Sequence, residues 1–140
     1  MIRRYSDNIY ANFVDALTTA TNGTAQNVAG YLGGAVELLV TTAASTGTVT
    51  VQLQVSANGT SGWTNFGSAQ VYGAGLTNAL YMLDFNTADM QNTLAGASYL
   101  RIVTSAATGS FAVDSIYHLI TPAFRPPTQT NTPVFIGHTL

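Results

Sequence analysis

The stretch TVTVQLQVSANGTSGWTNF, residues 48–66, constrains the fold of this chain more than any other. Val49, Val51, Leu53 and Val55 alternate with Thr50, Gln52, Gln54 and Ser56. A side-chain period of two places the first set on one side of an extended backbone and the second on the other, so this is a strand with one dry and one wet face. Ala57-Asn58-Gly59-Thr60-Ser61-Gly62 then supplies residues suited to a tight reversal, and Trp63 and Phe66 open a second extended run. A tryptophan beside such a turn is expected to close the end of a core, its ring buried and its indole N–H bonded to a loop carbonyl.

The rest of the chain repeats this grammar. Residues 13–21 read as a first strand, and Asn22-Gly23-Thr24 reads as the turn after it. Gly30, Gly33 and Gly34 precede AVELLVTTA, in which Val36, Leu38 and Val40 share a face. SAQVY, NALYMLDF, SYLRIVTS and GSFAVDSIYHLI come next, separated by Gly73-Ala74-Gly75, by residues 86–96 and by residues 106–109. Seven or eight short strands bounded by turn residues predict an all-β fold, a two-sheet antiparallel sandwich of jelly-roll type with extended N- and C-terminal arms. Abundant Thr and Val agree, because branching at Cβ favours the extended backbone.

At 140 residues the chain has the length of one domain. We assign residues 1–12 to an N-terminal arm, residues 13–120 to the sandwich and residues 121–140 to a C-terminal arm. In the first of these, Ile9 begins a helical spacing with Phe13 and Leu17, so one helical turn or an extended arm fits equally well. The last holds all four prolines, which cannot donate to an interior ladder. Tyr5, Ile9 and Tyr10 on one arm, and Phe124, Arg125, Val134, Phe135 and Ile136 on the other, are the expected anchors to a sister subunit or to another protein.

Charged residues make up 7% of the chain against roughly 25% in an average soluble domain. Arg3, Arg4, Arg101 and Arg125 are its fixed cations, there is no lysine, and the net charge is −2. No basic field exists to gather phosphates, so nucleic acid is not an expected partner. With zero cysteines, disulfides and Cys-ligated metals are impossible. No apolar run reaches the roughly 20 residues of a membrane span, and no export signal is expected in MIRRYSDNIY.

Groups capable of chemistry are few. No Gly-x-Ser-x-Gly elbow is present, and without lysine neither a P-loop nor a Schiff base can form. Of the two histidines, His118 has only Asp114 and Ile116 near it on the same strand face, too little for a metal site. Asp84 and Asp89 straddle a strand end as a paired-carboxylate hydrolase would require, yet a solvent-facing Asp84 and a turn-capping Asp89 explain them better. Asn22-Gly23-Thr24 and Asn58-Gly59-Thr60 match a glycosylation pattern but read more simply as turns. Tyr72, Tyr81, Tyr99 and Tyr117 with Trp63 offer either a sugar-stacking platform or ordinary packing aromatics. No catalytic residue, cofactor or metal is expected.

The order of the pieces in residues 35–120 carries a resemblance. An apolar strand, a Thr-rich turn, TVTVQLQVSANGTSGWTNFG and a late YLRIVTSAATGSFAVDSIYHLI together resemble the head-decoration, or cement, proteins of tailed bacteriophages, particularly short-tailed ones. Other phage β-sandwich proteins of tails and baseplates use similar grammar, and both arms fall outside the match. The resemblance implies a jelly roll on the outer surface of the capsid, a non-enzymatic homotrimer that binds the major capsid protein and ties its subunits together. The alternative is a carbohydrate- or receptor-binding module of a tail or fibre, using exposed tyrosines and Trp63.

Overall fold

The computed structural model describes residues 9–42, 48–73, 79–106 and 111–120. Val49, Val51, Leu53 and Val55 point inward along β5 (Val49–Ser56), while Thr50, Gln52 and Gln54 remain half-exposed; Ser56, expected on the wet face, is instead buried, its hydroxyl bonded to the loop that follows. The same period governs β9 (Ala112–Ile120), where Val113, Ser115, Tyr117 and Leu119 are buried and their neighbours are not. The remaining strands are β1 (Ile9–Leu17), β2 (Thr21–Asn22), β3 (Gln26–Asn27), β4 (Gly33–Thr42), β6 (Thr64–Tyr72), β7 (Ala79–Asn86) and β8 (Tyr99–Ala106).

These strands form two antiparallel sheets, confirming the predicted all-β sandwich. Sheet A has the order β1-β9-β4-β7, and sheet B has the order β2-β8-β5-β6 with β3 also on β8. First pairs with last, β1 with β9; next come β2 and β3 with β8, then β4 with β7, then β5 with β6. Between the sheets lies one core. Val36, Leu38, Val40, Val51, Leu100, Ile102 and Tyr117 are fully buried there, each aliphatic member contributing ~1.5–3 kcal/mol of hydrophobic stabilisation.

The structure moves several boundaries expected from the sequence. The first strand is paired back to Ile9, against Ile120, so Ile9 and Tyr10 belong to β1 and the strand covers positions assigned to the N-terminal arm. Asn22-Gly23-Thr24 is not a reversal. Thr21 pairs with Thr104 and Gln26 with Leu100, so β2 and β3 are two halves of one strand running along β8. Gly23 is needed there for close approach: its N–H donates to the Ile102 carbonyl at 2.7 Å, and a Cβ would lie 2.9 Å from that oxygen. The buried Asp15 holds this interruption, its Oδ2 accepting the Thr24 N–H at 3.0 Å. Gly33 and Gly34 likewise lie inside β4 and do not precede it, and at Gly34 a Cβ would collide with the His118 carbonyl.

Residues 86–96, read as a separator, contain a short helix, α1 (Thr87–Thr93). Asn86 is its N-cap, the side-chain oxygen accepting the Ala88 N–H at 2.7 Å, and Asp89 sits in the first turn, where the helix dipole favours a negative charge. Asn86, not Asp89, therefore does the capping. The Thr87 hydroxyl, within 2.9 Å of the Tyr31 carbonyl and 2.8 Å of the Leu32 carbonyl, ties the helix to the end of sheet A, and Met90 is fully buried beneath it.

Candidate functional site

Two solvent-facing sheet surfaces remain once the core is closed, and they differ in chemistry. On sheet A the outward residues fall into cross-strand rows: Asp114, Leu39 and Leu80; Ile116, Glu37 and Met82; His118, Ala35 and Asp84. Leu80 is 59% exposed and Met82 53%, large apolar side chains on a strand at the edge of the sheet. Leu39 and Leu32 are also exposed. A contiguous apolar field of this kind marks a surface that gains by being covered.

One polar pair is set into this field. His118 Nε2 lies 3.0 Å from Glu37 Oε2, joining two side chains on adjacent strands, while His118 Nδ1 is buried with no partner among the described residues. Along its own strand His118 has only Asp114 and Ile116 on the same face; its partner Glu37 comes from the adjacent strand, 81 positions away. No group of three possible metal ligands occurs among the described residues.

Where the edge strands of the two described sheets approach each other, β7 of sheet A and β6 of sheet B leave a groove of about 260 Å³. Leu53, Phe66, Met82 and Leu83 give it an apolar lining, and Ser68, Gln70 and Asp84 add polar groups. Beyond it the sandwich edge is closed by Tyr72 and Tyr81, whose ring centres are 4.2 Å apart at an interplanar angle of 38°. Burial, helped by the nearby Tyr81, raises the Tyr72 pKa. The β6 edge is irregular, because Val51 pairs with Gln70 while Leu53 pairs with Phe66. Gln52 covers that irregularity, its amide donating to the Phe66 carbonyl at 3.0 Å and to the Gly67 carbonyl at 3.2 Å.

The outer surface of sheet B is polar and laced together. Arg101 Nε and one terminal nitrogen donate to Gln54 Oε1 at 3.1 and 2.8 Å, and the Gln54 amide donates to Asn65 Oδ1 at 2.9 Å. The Arg101 guanidinium lies 4.0 Å from the centre of the Trp63 ring. Trp63 is thus not the expected core plug but a half-buried platform under a cation, and burial lowers the Arg101 pKa. The adjoining loop is pinned by Ser56, whose hydroxyl donates to the Ser61 carbonyl at 2.6 Å and accepts the Asn58 and Gly59 N–H groups at 3.2 and 3.0 Å.

The tyrosines do not assemble into one surface. Tyr72 and Tyr117 are buried and Tyr81 packs on the core, whereas Tyr99 sits on the outer side of sheet B beside Gly59. Burial, with a smaller effect of Asp15, raises the Tyr117 pKa, the nearby Ile102 backbone opposes the rise, and the hydroxyl makes no well-formed hydrogen bond among the described residues. Asp84 faces solvent on β7 and Asp89 is exposed on α1. Of the expected anchors, Ile9 and Tyr10 contribute backbone to β1, and Tyr5, Phe124, Arg125, Val134, Phe135 and Ile136 lie outside the described residues. The Leu39, Leu80 and Met82 field escaped sequence reasoning, although NALYMLDF carried the signal: apolar residues occupy both of its faces.

No family model and no curated relative matches the chain. Among solved structures, the crystal structure of the Yersinia pseudotuberculosis-derived mitogen is similar over 84% of this chain and 92% of its own, with 11% identity and a TM-score of 0.37, too distant to bear on fold or function.

Proposed function

We propose that the protein is a non-enzymatic structural component of a virion, a decoration protein that sits as a homotrimer on the outer surface of a phage head and binds the major capsid protein. The observation that carries this reading is the exposed apolar field on an edge strand, Leu80 and Met82 with Leu39 beside them, a surface suited to burial against other chains. The sequence resemblance over residues 35–120 supplies the particular assembly. A jelly roll is supported by the nested pairing, in which β1 meets β9, β2 and β3 meet β8, β4 meets β7 and β5 meets β6. Many repeated small interfaces resist rupture of a shell collectively, each burying apolar area at about 25 cal/mol per Å2.

Contacts made by apolar anchors and neutral amides are barely screened by salt. Purified protein is therefore expected to co-sediment with undecorated heads equally well at low salt and at about 0.5 M sodium chloride, several-fold beyond the ionic strength that shortens the screening length to ~8 Å. Release by salt, or no binding to heads at all, overturns the proposal. A second reading, a glycan-binding module of a tail or fibre, draws on the half-exposed Trp63 under Arg101. Copy number separates the two: a decoration protein is present in hundreds of copies per particle and a fibre module in tens.

A further inference from the structure

We propose that the groove between β6 and β7, together with the adjoining Leu80 and Met82 patch, receives Val134, Phe135 and Ile136 of a neighbouring copy of the same chain. The inference rests on reading residues 121–140 as an arm that joins subunits, and it specifies the surface that takes the arm. Leu53, Phe66, Met82 and Leu83, with Ser68, Gln70 and Asp84 among them, line an opening of about 260 Å³, space for one aromatic ring. The same edge strand exposes Leu80 and Met82 alongside it. The arm supplies a Val-Phe-Ile triplet that has no reason to remain in water.

Charge selects the arm over a second sheet surface. The outward side of sheet A carries Glu37, Asp84 and Asp114 against the single His118, so two such surfaces laid together would oppose like charges. Residues 121–140 contain Arg125 and His138 and no Asp or Glu side chain. Reach allows a neighbour. β9 ends at Ile120, and 20 residues follow it in the sequence. The 14 positions from 121 to 134 give a contour of up to about 43 Å at ~3.1 Å per residue. The strand just left is only about 30 Å long, nine residues at ~3.3 Å.

The absence of native cysteine makes the test direct. Full-length chains bearing Met82→Cys and, with a size tag, Phe135→Cys are co-expressed and oxidised. The expected product is a covalent dimer of one tagged and one untagged chain, about tenfold more abundant than when Val71→Cys, exposed on sheet B, replaces Met82→Cys. Equal yields from the two positions, or no mixed dimer, overturn the proposal. So does a chain carrying both Met82→Cys and Phe135→Cys that closes only on itself. Head binding is read separately: mixed dimers without head binding refute the decoration function and leave this contact standing, while head binding without mixed dimers does the reverse.

Discussion

The two outer surfaces of the sandwich are built on the same strand geometry and finished in opposite ways. On sheet B, Gln52, Gln54, Asn65 and Arg101 bond to one another or to backbone, so the surface is satisfied as it stands. On sheet A, Leu39, Leu80 and Met82 face outward around one His–Glu pair, and the strand bearing two of them lies at an edge of the described sheet. Edges of that kind are usually blunted by charge or proline. The contrast teaches that exposed apolar area is informative by its placement: Val71 on sheet B stands at 61% exposure as a lone residue, while the sheet A residues adjoin one another across strands.

The comparison is tested most sharply by truncating one leucine on each side of sheet A. Leu38→Ala removes a fully buried side chain and is expected to cost ~2–5 kcal/mol in urea unfolding. Leu80→Ala, on the outward side, should change the stability of the isolated subunit by no more than ~0.5 kcal/mol while weakening assembly, measured by sedimentation. A large loss of subunit stability from Leu80→Ala would mean that the outward field already serves the fold.

Sheet B is probed with Arg101→Lys. A lysine keeps the charge but cannot reproduce the planar stack on Trp63 or the paired donation to Gln54, so a loss of ~1 kcal/mol is expected, with a change in Trp63 fluorescence. An unchanged spectrum and midpoint would show that the network is incidental.

The smallest effect at neutral pH belongs to Tyr117→Phe in the core between the surfaces. Removing a buried hydroxyl that makes no well-formed hydrogen bond among the described residues should leave stability unchanged or slightly raised at pH 7. The Tyr117 pKa is raised above its ordinary 10.0 in the folded chain, so the unfolded chain releases its proton first. Stability from this group is fully present below pH 10.0 and declines as the pH climbs toward the folded value. Denaturant midpoints measured upward from pH 10 should fall less steeply in Tyr117→Phe than in the parent.

Much of the fold was legible because alternation is local. In TVTVQLQVS each residue's side of the sheet is set by its neighbour's, and the burial of Val49, Val51, Leu53 and Val55 obeys it. Gly23 misled because turn composition and close strand approach select the same residue; only the Ile102 carbonyl, 79 positions on, distinguishes them. Trp63 misled for a related reason, since its partner Arg101 arrives from β8 and holds the ring on the outside. α1 was hidden by its brevity, a single capped segment with one buried methionine and no sustained helical period.

By itself the sequence determined the strand-forming segments, the inward set along most of them, the poverty of charge and the lack of thiol chemistry, all properties of composition or of nearest neighbours. The tertiary structure decided which outward residues became neighbours: Glu37 beside His118, Leu39 beside Leu80, and the groove between β6 and β7. The physical reason is that register between strands distant in the chain is set by how the whole core closes, and no short stretch of residues contains that information.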